Sequence, residues 1–177
     1  RLDHEHLHGE DPEHYILEER NFDWAFHQVH WDNLLANIED SLKSRSQIML
    51  MFAGGEPLIS KEHEKFLRQC VEREPAGRIK IRYQSNITNL PLTVVRLWES
   101  FYEIDLGASI DALGAANDYI RYPSHWKRVE ENLNVLAGLD HVLVWLQPCV
   151  SIYNVFDIPQ LLCWSSELRQ IYRGQSR

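Results

Sequence analysis

The run Gln47-Ile48-Met49-Leu50-Met51-Phe52-Ala53, followed at once by Gly54-Gly55-Glu56-Pro57, decides how this chain is read. The run is nearly continuous in apolar side chains, which fits a strand buried on both faces of a parallel sheet. The two glycines let backbone groups approach a ligand without interference from a Cβ. Glu56 adds a negative charge suited to a ligand ammonium group. Pro57 and the helix-capping candidate Ser60 come next.

Working outward, residues 23–44 read as an amphipathic helix, with Trp31, Leu34, Leu35, Ile38 and Leu42 at the spacing of one buried face. A helix over about 60–74 carries Phe66, Leu67, Cys70 and Val71 and ends at Pro75 and Gly77. Arg78 to Tyr83 alternates like a strand, and Pro91 suits the first turn of a helix over about 91–101. Residues 103–110 form a third strand, 119–124 a loop and 124–138 a helix. Residues 141–147 form a fourth strand running on towards Val150, and a last helix starts near Asp157. Strand and helix thus alternate after an opening helix, which predicts an α/β fold with parallel strands and right-handed crossovers. A flavodoxin-like open sheet and part of a (β/α) barrel both fit this order. In either, ligands collect at the carboxyl ends of the strands.

The chain has 177 residues, 44% hydrophobic and 11% aromatic, enough for a sizeable core. A net charge of −8 opposes binding to a nucleic-acid backbone. Cys70, Cys149 and Cys163 are odd in number and far apart, so neither a disulfide framework nor a self-contained metal site is expected. Reduced thiols, packed in the core of a cytoplasmic protein, are the expectation. No apolar stretch is long enough to span a bilayer, and no signal peptide is visible. The polar segment 1–22 holds His4, His6, His8 and His14, read as a solvated surface, although alternating His can also bind zinc or nickel. Residues 23–177 are taken as one partial domain, and both chain ends as cut from a longer protein.

The expected strand ends gather polar residues on one rim: Gly54 to Pro57, then Ser85 and Asn86, then Ser109 and Asp111, then Gln147. Ser109 and Asp111 could bind hydroxyls such as those of a ribose, and Arg121 could clamp a carboxylate in a bidentate fork. Each has a purely structural alternative. Asn86 could cap a turn, Ser109 and Asp111 could bond the loop backbone, and Arg121 could form a surface ion pair.

Phe52-Ala53-Gly54-Gly55-Glu56-Pro57-Leu58 resembles the glycine-rich motif of radical S-adenosylmethionine (radical SAM) enzymes. Ser109-Ile110-Asp111, then Asn117 to Ser124 and Trp126, resembles the next stretch of that superfamily, most closely its twitch-domain-containing members. The resemblance covers roughly residues 31–165. It implies a partial (β/α)6 barrel, S-adenosylmethionine and a [4Fe-4S] cluster. It also implies an oxidoreductase that cleaves the cofactor to a 5′-deoxyadenosyl radical and abstracts hydrogen from a substrate, with a peptide or protein as the substrate class.

By that likeness Gly54, Gly55 and Glu56 meet the methionine amino group, and Pro57 belongs to the same cofactor-binding motif. Ser85, Asn86, Ser109 and Asp111 meet the ribose and methionine parts, Arg121 the carboxylate, and Gln147 the adenosine. The family's CxxxCxxC cluster motif and twitch domain are absent from this sequence, so the cluster ligands are expected outside it and no catalytic residue is assigned. Two further readings compete. One is a non-catalytic binding or scaffold domain of the same fold that lacks the cluster. The other is an unrelated α/β enzyme using the glycine turn for phosphate, against which Glu56 counts.

Overall fold

The fold is taken from a computed structural model, with backbone described for residues 24–175 and side-chain burial for 31–168. The histidines of segment 1–22 lie outside the described residues. The chain separates into two units, 1–36 and 37–177, with the boundary inside helix α1 (Trp24–Ser44). Of the first unit, only the opening part of that helix is described.

The second unit continues α1 and then alternates. Strand β1 (Ile48–Phe52) leads through a short 3-10 turn, Pro57–Ile59, to α2 (Lys61–Glu72). Strand β2 (Ile79–Ser85) leads to α3 (Leu92–Trp98). Strand β3 (Glu103–Ala108) is followed by α4 (Gly114–Ile120) and α5 (Trp126–Ala137). Strand β4 (Val142–Leu146) precedes α6 (Ile158–Gln175). The boundaries match the periodicity except at α4. There the apolar residues are too few to mark a helix, and the loop expected over 119–124 begins only after Ile120.

All four strands are parallel and lie in the order β1-β2-β3-β4. A flavodoxin-like sheet reverses direction partway along its strand order. No reversal occurs among the described strands. Right-handed crossovers made always in the same direction put the connecting helices on one face. That face carries Ile79, Ile81 and Tyr83 of β2 and Ile104 and Leu106 of β3, all fully buried. They meet Leu67 and Phe66 of α2, Val94 and Trp98 of α3 and Val129 of α5 in a core of fully or nearly fully buried side chains. Burying each such side chain contributes about 2–3 kcal/mol.

The opposite face has no helix over it among the described residues. Cross-strand ion pairs run along its centre. Arg82 Nε and Nη2 donate to Asp105 Oδ2 at 2.8 and 2.5 Å, Lys80 pairs with Glu103, and Trp145 Nε1 donates to Asp105 Oδ1 at 2.6 Å. This corrects the expectation for β1. Its residues alternate, with Met49 and Met51 each 54% exposed on the helix-free face. Methionine is apolar by composition but tolerates such a position. The cysteines need correcting as well. Cys70 is buried, but Cys149 and Cys163 are exposed.

Candidate functional site

The carboxyl ends of the strands hold two polar clusters. The first forms where β1 and β2 end. Gly54 and Gly55 take left-handed φ angles of 88° and 59°. No atom lies within 4 Å of the position a Cβ would occupy at either glycine, so open space lies beside this turn. The turn aims Glu56 across to β2. Its Oε1 accepts from Ser85 Oγ at 2.7 Å and its Oε2 from the Asn86 N–H at 2.9 Å. Oε1 also receives the Leu58 N–H at 3.5 Å, which caps the 3-10 turn. Ser60 caps α2 as expected, its Oγ accepting from the His63 N–H at 3.3 Å.

The second cluster forms where β3 and β4 end. Arg121 grips Asp111 in a bidentate fork, Nε to Oδ2 at 2.6 Å and Nη2 to Oδ1 at 3.0 Å. Asp111 Oδ1 also accepts from the Cys149 N–H at 2.7 Å. The Asp111 side chain is only 4% exposed, so its burial is compensated by a charge pair and a backbone donor. The fork expected to hold a ligand carboxylate is therefore closed on Asp111. Likewise, Asp111 has little capacity left for a ribose.

Ser109 sits between the clusters. Its N–H donates to Ser85 O at 2.8 Å, and its hydroxyl has no partner among the described residues. Gln147 bonds Ala108 O through its backbone N–H at 2.9 Å. Its side-chain Oε1 is buried without a partner. That oxygen lies over Gly107, where an added Cβ would come within 2.8 Å of it.

The structure thus brings Glu56, Ser85 and Asn86 together and, separately, Asp111 and Arg121. Three asparagines hold the rim: Asn117, which opens the quoted stretch 117–124, and Asn132 and Asn154, which the sequence does not single out. Asn117 Oδ1 accepts the Asp111 N–H at 3.1 Å. Asn132 Nδ2 donates to Ile87 O at 2.7 Å. Asn154 Nδ2 donates to Asp111 O at 2.9 Å. A lone Asn carries no motif; only the fold brings each one to a backbone group left unpaired by a loop.

A cavity of about 620 Å³ opens along β4, lined by Leu133, Leu136, Leu161 and Leu162. Asp140 and Ser165 also line it, but none of the residues of the two clusters does. Among the described residues no group of three His, Cys, Asp or Glu side chains could hold a metal ion. Among them, too, no helix is long and apolar enough to cross a membrane. Comparison of the chain with family models, curated proteins and solved structures returns no match.

Proposed function

We propose that this chain is part of the core of a radical SAM enzyme, a (β/α) partial barrel that presents S-adenosylmethionine at the carboxyl rim of its sheet. One observation carries the reading. The open glycine pair at the end of β1 is followed by a carboxylate fixed by two donors from the end of β2, in a singly wound parallel sheet.

The residues present suit the cofactor in part. Glu56 Oε2 has one hydrogen-bond partner and so keeps a lone pair for an ammonium group. Gly54 and Gly55 leave open space where side chains would stand. The buried, unpartnered Gln147 Oε1 would accept a ligand N–H. Ser109 has a free hydroxyl for a sugar. Arg121 does not suit a ligand carboxylate while it holds Asp111. When bound and given one electron by a reductant held outside the described residues, S-adenosylmethionine would supply a carbon-centred radical for hydrogen abstraction, and the residues named here would orient it and exclude water.

The described residues do not fit a [4Fe-4S] cluster. It needs clustered thiolates, whereas Cys70 is buried with its thiol pKa pushed up to about 12 by burial. Cys149 and Cys163 are too far apart in the chain to supply such a set. No step is drawn through a cluster.

The test is anaerobic reconstitution, with iron and sulfide, of the protein from its intact reading frame, then reduction with dithionite in the presence of S-adenosylmethionine. Formation of 5′-deoxyadenosine, read by chromatography, is expected. Iron uptake without that product would overturn the reading. The internal bonding of Glu56, Asp111 and Arg121 favours a second reading, a cluster-free binding domain of the same fold. Absence of both iron and product would select it.

A further inference from the structure

The outer edge of β4 carries main-chain groups that the sheet does not use. The Ile104 N–H donates to His141 O at 3.0 Å, and the Gln147 N–H donates to Ala108 O at 2.9 Å. Along a strand these groups point to alternate sides. The odd-numbered residues of β4 therefore serve β3, and Val142, Val144 and Leu146 turn theirs outward. The Val142 N–H returns to Leu139 O at 3.1 Å. Beyond Val144 and Leu146 no strand stands among the described residues. Natural sheets blunt a free edge with charge, proline or a bulge. From Val142 to Leu146 there is neither charge nor proline, and the pairing to β3 runs in unbroken register.

The cavity along β4 follows this edge. On the helix side it is lined by Leu133 of α5 and by Leu161 and Leu162 of α6. Around the edge it reaches Leu143 and Trp145, which share the helix-free face with Asp105 and Gly107. Its one charged lining residue, Asp140, precedes the strand. A space that wraps both faces of a strand edge has the shape of one more strand, whose main chain would run about 4.8 Å away. Alternate side chains of that strand go to opposite faces. One set meets the leucines of α5 and α6. The other lies beside Leu143, which is 52% exposed, and so stays in water.

The free main-chain groups select the occupant: only an extended backbone can pair with Val144 and Leu146 while its side chains fill the groove. A second copy meets an obstacle. The two-fold axis that pairs two identical edges stands normal to the sheet and keeps both helix layers on one face. Each copy would then bring an α6 over the same strip, which α6 already lines through Leu161, Leu162 and Ser165. A lone strand brings no helix. We propose that the β4 edge is a strand-addition site for an extended polypeptide segment that alternates apolar with polar residues. The inference stands apart from the cofactor reading, because binding is measured with neither cofactor nor cluster present.

The probe is a fluorescein-labelled peptide of about eight residues alternating Val with Thr, titrated into the chain by anisotropy. Two further peptides carry N-methyl groups, one on every Val and the other on every Thr. Only one edge of a strand can face β4, so one methylated peptide should keep its affinity and the other should bind about tenfold more weakly. Val144→Pro removes an outward N–H and leaves the bonds to β3, a place where edge strands tolerate proline. It should weaken the unmodified peptide about tenfold. Leu162 is 57% exposed, so Leu162→Ser should leave circular dichroism unchanged and still weaken binding. No binding of the unmodified peptide, or equal binding of the two methylated ones, would overturn the proposal. Displacement of both methylated peptides alike by laurate would assign the groove to an apolar small molecule. A concentration-dependent dimer abolished by Val144→Pro would assign it to a second copy. Either result ends the strand-addition reading.

Discussion

Glu56 is the residue at which the glycine motif and the sheet meet. It accepts donors from two residues at the end of the neighbouring strand. Glu56→Ala would leave the Ser85 hydroxyl and the Asn86 N–H without their acceptor, at a cost of about 2 kcal/mol. A lowered urea midpoint at unchanged slope is the expected reading. His63 makes a second prediction. It is 2% exposed between α2 and β2, with Nε2 at 2.9 Å from Tyr83 Oη. Trp98 Nε1 donates to the same oxygen at 3.2 Å. The ring's other nitrogen, Nδ1, is buried without a partner, so a charged ring would bury an unsatisfied N–H.

Burial lowers the His63 pKa from 6.5 to about 4, against a smaller opposing influence of Glu64. As pH falls below 6.5 the unfolded chain takes up the proton first, so stability drops between about pH 6.5 and 4. At pH 5 the loss from this group is about 2 kcal/mol. Urea midpoints at pH 7.5 and 5 should differ by that amount more in wild type than in His63→Asn.

At the scale of elements, the crowding of β3 and β4 on the helix-free face is tight at Gly107. A Cβ there would lie 2.8 Å from Gln147 Oε1 and 2.9 Å from the Trp145 ring. Gln147 can swing aside, but the indole is held by its bond to Asp105. Gly107→Ala is expected to cost about 1–3 kcal/mol by overpacking. Breaking the Trp145 bond should also shift its fluorescence to the red, and an unchanged spectrum and midpoint would refute this packing. The helices α2 and α5 were legible from their apolar spacing, because one-sided burial imposes a 3.6-residue period. The alternating exposure of β1 was not legible, because its exposed positions are methionines rather than charged residues. Nor was α4, which buries only Asn117 among its residues.

For the whole molecule, β2 and β3 lie between the outer strands β1 and β4. Amides of Ile81, Tyr83, Ile104 and Leu106 should therefore exchange with solvent last, and those of β1 and β4 earlier, as edge strands open with less loss of burial. Uniform protection across all four strands would count against the sheet order. A singly wound order also explains why one face is apolar throughout and the other carries paired charges. Among the described residues only one face receives helices.

The sequence by itself determined the α/β alternation, the caps and the strand-end positions of Glu56, Ser85, Asn86, Ser109 and Asp111, since these follow from local periodicity and turn chemistry. The strand order was decided only by the tertiary structure, because both candidate sheets share the same alternation. Tertiary contacts also decided what the rim residues hold. Arg121 could equally have met a ligand or Asp111, and nothing in its neighbours reveals which. Its partner is ten positions away in the chain, brought to 2.6 Å by α4 and its flanking loops. Glu56 kept its place at the glycine turn, and the fold added that its carboxylate ties two strands together.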